Sequence, residues 1–344
     1  MGEQLRVGFL GAGLIATYHS KSLRRSGVPV ERAGVYDPDP QRVATFAAAS
    51  GHTPMAGEDD VLDSCDAVYV CTWTSAHLRQ VDKAAARGLA IFCEKPLAFD
   101  LASAEHMATM VSTAGVVNQV GLVLRRSPAY VWAKHLVDEP VAGKVMAVVC
   151  RDDQFIPTQG HYGSTWRSDR SRAGAGTLLE HSIHDVDMFR VLVGDVDRVS
   201  AYTTNFHGHD GIEDVATASI RFANGALGTL ASIWHDNLAR ASLRRVEIFC
   251  ERRHVTIEGD DWDGPVSWSD TDGDAHTLEG AELSAAAASL RKGSENPDGQ
   301  FIAAVLGGTP ASPDFADAVE AHRVITAMYD SAARDGVSVE IRRG

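Results

Sequence analysis

Residues 5–16 read Leu-Arg-Val-Gly-Phe-Leu-Gly-Ala-Gly-Leu-Ile-Ala, an apolar strand-like run that passes through a glycine-rich turn into a helical pattern. Gly11, Gly13 and Ala16 form G-x-G-x-x-A, which in this strand-to-helix setting is a dinucleotide-binding signature. Gly11 permits the tight turn, Gly13 lets the backbone approach a pyrophosphate, and Ala16 lets helix and strand pack closely. The helix that starts at Leu14 and Ile15 offers N–H donors and a positive dipole end to the phosphates.

Outward from this turn, the first 124 residues alternate apolar runs (LRVGFL, RAGVY, AVYVC, AIFC, VVNQVGLVL) with helical patterns such as QRVATFAAAS and HLRQVDKAAARG. That alternation predicts a parallel, doubly wound α/β sheet of Rossmann type over residues 1–124. Beyond residue 144 the pattern changes to longer spaced runs (KVMAVVCRDDQF, RVSAYTTNF, DVATASIRF, GALGTLASIW, LRRVEIFC, RHVTIEG), and Asn224-Gly225 is a strong hairpin signal. Residues 125–344 therefore read as a second α/β domain with an open, mainly antiparallel sheet and a helix near 177–193. The Gly/Asp/Ser-rich stretch 259–299 reads as loops with one short helix around 281–291, and a final helix is expected at 314–334. At 344 residues the chain is long enough for two cores.

The second strand ends in Asp37, whose carboxylate suits the adenosine ribose hydroxyls and would repel a 2′-phosphate, so NAD is favoured over NADP. Asp37 alternatively starts the Asp-Pro-Asp-Pro turn and caps the next helix. Thr72, Trp73 and His77 follow the fourth strand, where side chains line a cofactor groove; the other reading of His77 is a solvated residue in a helix's first turn. The run Leu89-Ala-Ile-Phe-Cys-Glu-Lys-Pro-Leu97 then ends an apolar strand in a cation. Ligands of open α/β sheets sit outside the carboxyl ends of the strands, so Lys95, with Glu94 beside it, faces the cofactor.

Residues 174–190 form a glycine-rich entry to a helix that carries Glu180, His184 and Asp187 at spacings of four and three, on one face. A neutral imidazole is the usual base for a hydroxyl proton near neutral pH, which makes His184 the candidate base. Lys95 can stabilise the developing alkoxide as a preorganised donor. Glu180 either orients His184 or binds a substrate hydroxyl; alternatively Thr177-x-x-Glu180 is a capping box. His181 and His184 make half a metal site at most, and without further ligands at suitable spacing no metal is expected. His207 and His209, on a Gly/Asp-rich turn, read as surface residues.

Composition narrows the partners. A formal charge of −14 disfavours nucleic acid and anionic membranes as partners. No apolar stretch reaches the length of a membrane helix, and five scattered cysteines (65, 71, 93, 150, 250) suit reduced thiols in a cytoplasmic protein.

With LGAGLIA at the start, CEKPLA at 93–98, LRRSPAY at 124–130, STWRSDRSRAGAG at 164–176 and HSIHDVDMFRVLVG at 181–194, the chain resembles the Gfo/Idh/MocA oxidoreductases over nearly its whole length. The resemblance implies NAD or NADP, Lys95 and His184 near nicotinamide and substrate, a sugar, cyclitol or related alcohol as substrate, and a homodimer or homotetramer built through the open sheet. Two departures stand out. Glu180 replaces the aspartate usual four residues before the histidine, and Trp73-Thr74 replaces the usual Pro-Asn.

The second domain should supply the substrate wall: Arg126, Arg151, Asp152, Asp153, Gln154, His161, Tyr162, Trp166, Arg167, Glu180, His181, His184, His235 and Asp236, with Arg167 and Tyr162 foremost. The expected function is NAD-dependent oxidation or reduction at a secondary alcohol or ketone of a sugar or polyol. Redox-neutral, NAD-dependent glycoside cleavage and a non-catalytic NAD-binding sensor are the alternatives.

Overall fold

The computed structural model describes residues 4–160, 162–260, 262–271, 273–291 and 296–342. The chain divides into two compact units, Met1–Leu122 with Gly293–Val319, and Val123–Lys292 with Glu320–Gly344.

In the first unit, β1 (Arg6–Leu10), β2 (Glu31–Tyr36), β3 (Thr53–Pro54), β4 (Ala67–Val70), β5 (Ala90–Cys93) and β6 (Asn118–Val120) form one sheet in the order β3-β2-β1-β4-β5-β6. Every pairing is parallel. The crossovers are α1 (Leu14–Arg25), α2 (Pro40–Ser50), α3 (Glu58–Ser64), α4 (Thr74–Ala86) and α5 (Leu101–Ala114). β4 and β5 are buried at every position, as strands covered by helices on both faces must be. The order reverses between β1 and β4, which places the glycine turn and the end of β4 at the switch point where such sheets take ligands.

In the second unit, α6 (Pro128–Asp138) precedes the long strand β7 (Val145–Phe155). Three short helices follow, α7 (Arg170–Ala173), α8 (Thr177–Glu180) and α9 (Ile183–Leu192). The strands β8 (Val196–Thr204), β9 (Val215–Phe222), β10 (Leu227–His235), β11 (Leu243–Cys250), β12 (Arg253–Asp260), β13 (Gly264–Asp270) and β14 (Ala275–Leu278) lead to α10 (Gly280–Leu290). The chain then contributes α11 (Pro297–Gly307) to the first unit, and α12 (Phe315–Ala332) leads to β15 (Val339–Glu340). The sheet order is β14-β13-β12-β11-β7-β10-β9-β8-β15, antiparallel throughout except for β7 with β10. Burial alternates along β9, so one face of the sheet is covered and the other open. The turn at Asn224-Gly225 joins β9 to β10, with Gly225 at φ 92°.

Three expectations need correction. The stretch 259–299 is not mostly loop: it holds β13, β14, α10 and the start of α11. β13 opens on Gly264-Pro265 and β14 is only four residues long and mostly exposed, which hid the strand pattern. Residues 293–319 belong with the first unit, where Phe301 and Ile302 of α11 share a core with Val7, Phe9, Tyr69 and Phe92. The single helix expected over 177–193 is two, broken at His181-Ser182. Ser232 of β10 bonds the hydroxyls of both Thr177 (2.8 Å) and Ser182 (2.7 Å), and Asp152 of β7 holds His181, so the sheet pulls the segment out of one helical line.

Candidate active site

The glycine turn is shaped by its neighbours. Gly11 sits at φ 92°, and a Cβ there would lie 2.5 Å from the carbonyl oxygen of Cys71 at the end of β4. Its N–H donates to the Tyr36 carbonyl (2.8 Å), joining the ends of β1 and β2. Gly13 precedes α1 in extended conformation, without a side-chain cap or any acidic residue in the first turn. A Cβ on Gly13 would meet nothing within 4 Å, and Leu14 and Ile15 are exposed beside it. An uncapped helix N-terminus with backbone open to approach fits a dinucleotide diphosphate. Ala16 is fully buried, in one core with Val7, Phe9 and Val35.

Asp37 accepts the Ala12 N–H on Oδ2 and the Asp39 N–H on Oδ1, each at 2.9 Å, so it braces the glycine turn from the end of β2. It does not cap α2. That task falls to Asp39, which accepts from Gln41 and Arg42.

At the end of β4, Thr72 donates to Gln80 (2.6 Å) and Trp73 occupies the N-cap position of α4. His77 is neither solvated nor surface-facing: it is 1% exposed. Its Nδ1 lies 3.1 Å from the Pro96 carbonyl and 3.2 Å from that of Leu97, while Nε2 lies 3.3 Å from the Thr72 carbonyl. It therefore fastens the segment after Lys95 to the start of α4. Its burial rules out the solvated alternative. Lys95 itself is half-buried at the end of β5.

Glu94 is also buried and turned inward. One carboxylate oxygen lies 2.7 Å from His19 Nε2, and the other accepts the Lys95 N–H at 3.1 Å. His19 Nδ1 lies 2.7 Å from Asp298 of α11. Burial alone would lower the His19 pKa, but Asp298 and Glu94 outweigh it and carry it up to about 10. Glu94 is thus a support for the Lys95 backbone. Sequence reasoning missed His19, although Ala16, His19, Ser20 and Leu23 form an i, i+3, i+4, i+7 stripe that marks the buried face of α1.

The other half of the candidate residues lies in the second unit. Gly176, at the start of α8, packs so closely on Glu213 that a Cβ would fall 1.8 Å from its carbonyl oxygen. The Glu213 carboxylate accepts the N–H groups of Gly176 (2.8 Å) and Leu178 (2.9 Å), so Glu213, and not Glu180, satisfies the start of α8. Glu180 instead pairs with Arg167 Nε at 3.2 Å. Arg167 in turn donates to Ser164 (2.7 Å) and lies 4.3 Å over the Trp166 ring. Glu180 and Arg167 therefore form one unit that fixes the 164–168 turn. Tyr162 packs on Phe155, with ring centroids 5.6 Å apart, and Trp166 packs against Ile156, Ala173, Ile212 and Trp234. His161 lies outside the described residues.

His184 is the second residue of α9, half-buried, two positions past the break. Asp187, on the same helix, is buried in a bidentate pair with Arg125 (2.8 and 2.6 Å). The neighbouring Arg126 has its pKa lowered by burial and by Arg291.

His181 bonds Asp152 (2.9 Å), Arg244 bonds the same carboxylate (2.7 Å), and Arg244 Nε reaches Asp185 (2.7 Å). Despite burial, Arg244 and His181 hold Asp152 well below the usual carboxylate range, whereas burial pushes Asp185 well above it. Asp152 and Asp153 are therefore structural ion-pair partners more than open substrate wall, Asp153 engaging Arg240 at 2.6 Å. His207 is likewise no free surface residue: it bonds Asp214 (2.6 Å) and Asp236 (3.2 Å). Among the described residues no cluster of three metal-ligating side chains occurs, and no helix is long and apolar enough to cross a membrane.

Residues 5–122 match the oxidoreductase family with an NAD-binding Rossmann fold, and residues 130–256 match the GFO/IDH/MocA C-terminal domain. The chain is 31% identical over 274 residues to scyllo-inositol 2-dehydrogenase (NAD(+)) of Bacillus subtilis, covering 75% of this chain and 78% of that one. It is 25% identical to levoglucosan dehydrogenase of Pseudarthrobacter phenanthrenivorans over 97% of both chains. The solved structure of levoglucosan dehydrogenase in complex with NADH and levoglucosan superposes with a TM-score of 0.88 at 22% identity, covering 99% of this chain and 100% of that one.

Proposed function

Because this chain belongs to the Gfo/Idh/MocA oxidoreductases and carries their NAD-binding Rossmann domain, we propose that it oxidises a secondary alcohol of a sugar, cyclitol or sugar-derived compound, or reduces the matching ketone. The observation that carries this reading is Lys95: a cation at the carboxyl end of β5, its backbone braced by Glu94 and the segment after it by His77. The names of the relatives support the substrate class.

When bound, NAD supplies the acceptor for the two electrons and the hydrogen leaving the carbinol carbon. His184 takes the hydroxyl proton as general base, a role worth roughly 10²–10⁴ in rate. The Lys95 ammonium donates a hydrogen bond to the same oxygen and stabilises its developing charge. In the reducing direction His184 returns the proton. Glu180 holds Arg167, and with Tyr162, Trp166, His181 and Arg126 it shapes a polar wall with aromatic surface, suited to a polyol's hydroxyls and C–H faces. Asp37 favours NAD over NADP. The reaction is cytoplasmic on this reading, in keeping with five buried, reduced cysteines. The open sheet face, bearing Val149, Leu227 and Phe249, joins copies into a homo-oligomer, which light scattering at micromolar concentration would test.

The direct test follows reduced-nicotinamide absorbance with inositols, aldoses, anhydrosugars and sugar acids. Turnover with one class, lost in Lys95→Ala and His184→Ala, supports the reading. Tight NAD binding with no turnover and no altered product would transfer it to a sensor, and product formed without net NAD reduction would transfer it to redox-neutral cleavage.

A further inference from the structure

We propose that His19 is a positioning residue for Lys95, acting through Glu94: Asp298 holds one side of its ring, Glu94 the other, and Glu94 passes the constraint to the Lys95 backbone. The inference rests on the reading of Lys95 as the group that binds the reacting oxygen.

The geometry is continuous. His19 is fully buried in α1, with Nδ1 2.7 Å from Asp298 and Nε2 2.7 Å from Glu94. The ring is held laterally by Phe92 and Tyr69, at centroid distances of 4.7 and 5.7 Å. The second oxygen of the Glu94 carboxylate accepts the Lys95 N–H. Behind it stands Gly121, where a Cβ would lie 2.4 Å from Glu94 Oε1, so the carboxylate has no room to retreat. Three packing directions therefore fix Glu94, and one of its two oxygens is committed to the lysine.

The chemistry explains the choice of residue. A histidine bonded at both nitrogens to carboxylates serves as a two-headed N–H donor, and its raised pKa keeps both protons in place across the neutral range. Neither Glu94 nor Asp298 is then left as an isolated buried anion, which would be costly. His19 also lies on α1, the helix whose amino end at Gly13 and Leu14 receives the diphosphate. That helix and the residue that bears the ammonium thus share one rigid support. Misplacement of a reacting group by about 1 Å costs on the order of 10²-fold in rate, so a support of this kind is read in kcat.

Two near-isosteric variants separate the proposal from a merely structural role. Glutamine puts an amide N–H donor where Nε2 stood and keeps the bond to Glu94; asparagine puts it where Nδ1 stood and keeps only the bond to Asp298. Each is compared with the full-length wild type for NAD affinity, melting temperature, kcat on a substrate found above, and the rate at which acetic anhydride labels Lys95, read by peptide mass spectrometry. The labelling readout needs no turnover. The expected result is that His19→Asn lowers kcat about tenfold or more and changes the Lys95 labelling rate, while His19→Gln stays within about threefold of wild type in both and NAD affinity holds in each. Glu94→Gln, which leaves His19 in place, should shift Lys95 labelling in the same direction as His19→Asn.

Equal losses in His19→Asn and His19→Gln that track melting temperature, with Lys95 labelling unchanged, would overturn the proposal and leave His19 a core residue. Unchanged labelling in a folded Glu94→Gln protein would overturn it by the second route. Lys95→Ala serves as the separate control: if it retains turnover, the reading of Lys95 itself fails, whatever the His19 variants do.

Discussion

In the first unit the buried charge lies along one line, Glu94–His19–Asp298, with the His19 ring tilted against the stacked rings of Tyr69 and Phe92. In the second it branches around a guanidinium, with Arg244 between Asp152 and Asp185 and His181 attached to Asp152. Both arrangements lie next to a candidate catalytic residue, Lys95 or His184, yet they respond to pH differently. The linear array depends on a histidine that titrates, whereas the branched one depends on an arginine that does not. The central group of the first gains and loses its proton with pH, while the central guanidinium of the second keeps its charge.

The largest expected effect breaks the branched cluster. Arg244→Met removes the cation shared by two buried carboxylates and should destabilise the second unit by about 3–5 kcal/mol, measured by urea denaturation. Adding Asp185→Asn to that variant should restore part of the loss, because it removes one of the stranded carboxyls. Full stability in Arg244→Met alone would show that the cluster is not a structural support.

A pH series sharpens the contrast. His19 binds its proton more tightly in the folded chain, so its stabilisation is complete below the ordinary histidine pKa and is lost as pH climbs through about 10. His52 behaves oppositely: burial, aided by Arg32, lowers its pKa to about 4, so the first unit also loses stability as pH falls from near 6.5 toward 4. Asp152, held low, keeps its charge through that acid range. Hydrogen exchange corrected for intrinsic rates should therefore show α1, β5 and α11 losing protection first at high pH, and β1 and α2, which pack on His52 through Phe9 and Phe46, losing it at low pH before β7, α9 and β11 do. Uniform loss across the two units would break the comparison.

The smallest effect concerns thiols. Burial raises the pKa of Cys71 and Cys93 in the first unit well above the usual value, and that of Cys250 in the second less strongly. Under native conditions Cys250 should react first with a disulfide reagent, and Cys71 and Cys93 only on unfolding. Equal rates would indicate that opening of the whole chain, not local exposure, limits the reaction.

Most of this architecture was legible where the pattern is local. The strand–glycine turn–helix at residues 5–16, the cation after β5 and the hairpin at Asn224-Gly225 each follow from residues adjacent in sequence. The break between α8 and α9 was not legible, because its cause is Ser232 and Asp152 on strands distant in sequence. The partners of Glu94, His77 and Glu180 were hidden for the same reason: each lies well away in sequence. His19 and Asp298, 279 residues apart, could be seen as a pair only in the fold. The strands β13 and β14 were read as loop because the alternation of Val266-Ser267-Trp268-Ser269 is short and opens on Gly264-Pro265, and β14 is four mostly exposed residues.

The contribution of α11 to the first unit has a consequence for biosynthesis. Its Phe301 and Ile302 complete a core whose other large members, Phe9, Phe46, Tyr69 and Phe92, are translated far earlier. A ribosome needs roughly ten seconds or more to make the 208 residues between Phe92 and Phe301. Throughout that interval the nascent first unit lacks both the edge-on ring that packs against Tyr69 and Phe92 and the carboxylate that holds His19. Translation therefore delivers the second unit in the middle of the first, and the site that Lys95 belongs to is finished only near the end of synthesis.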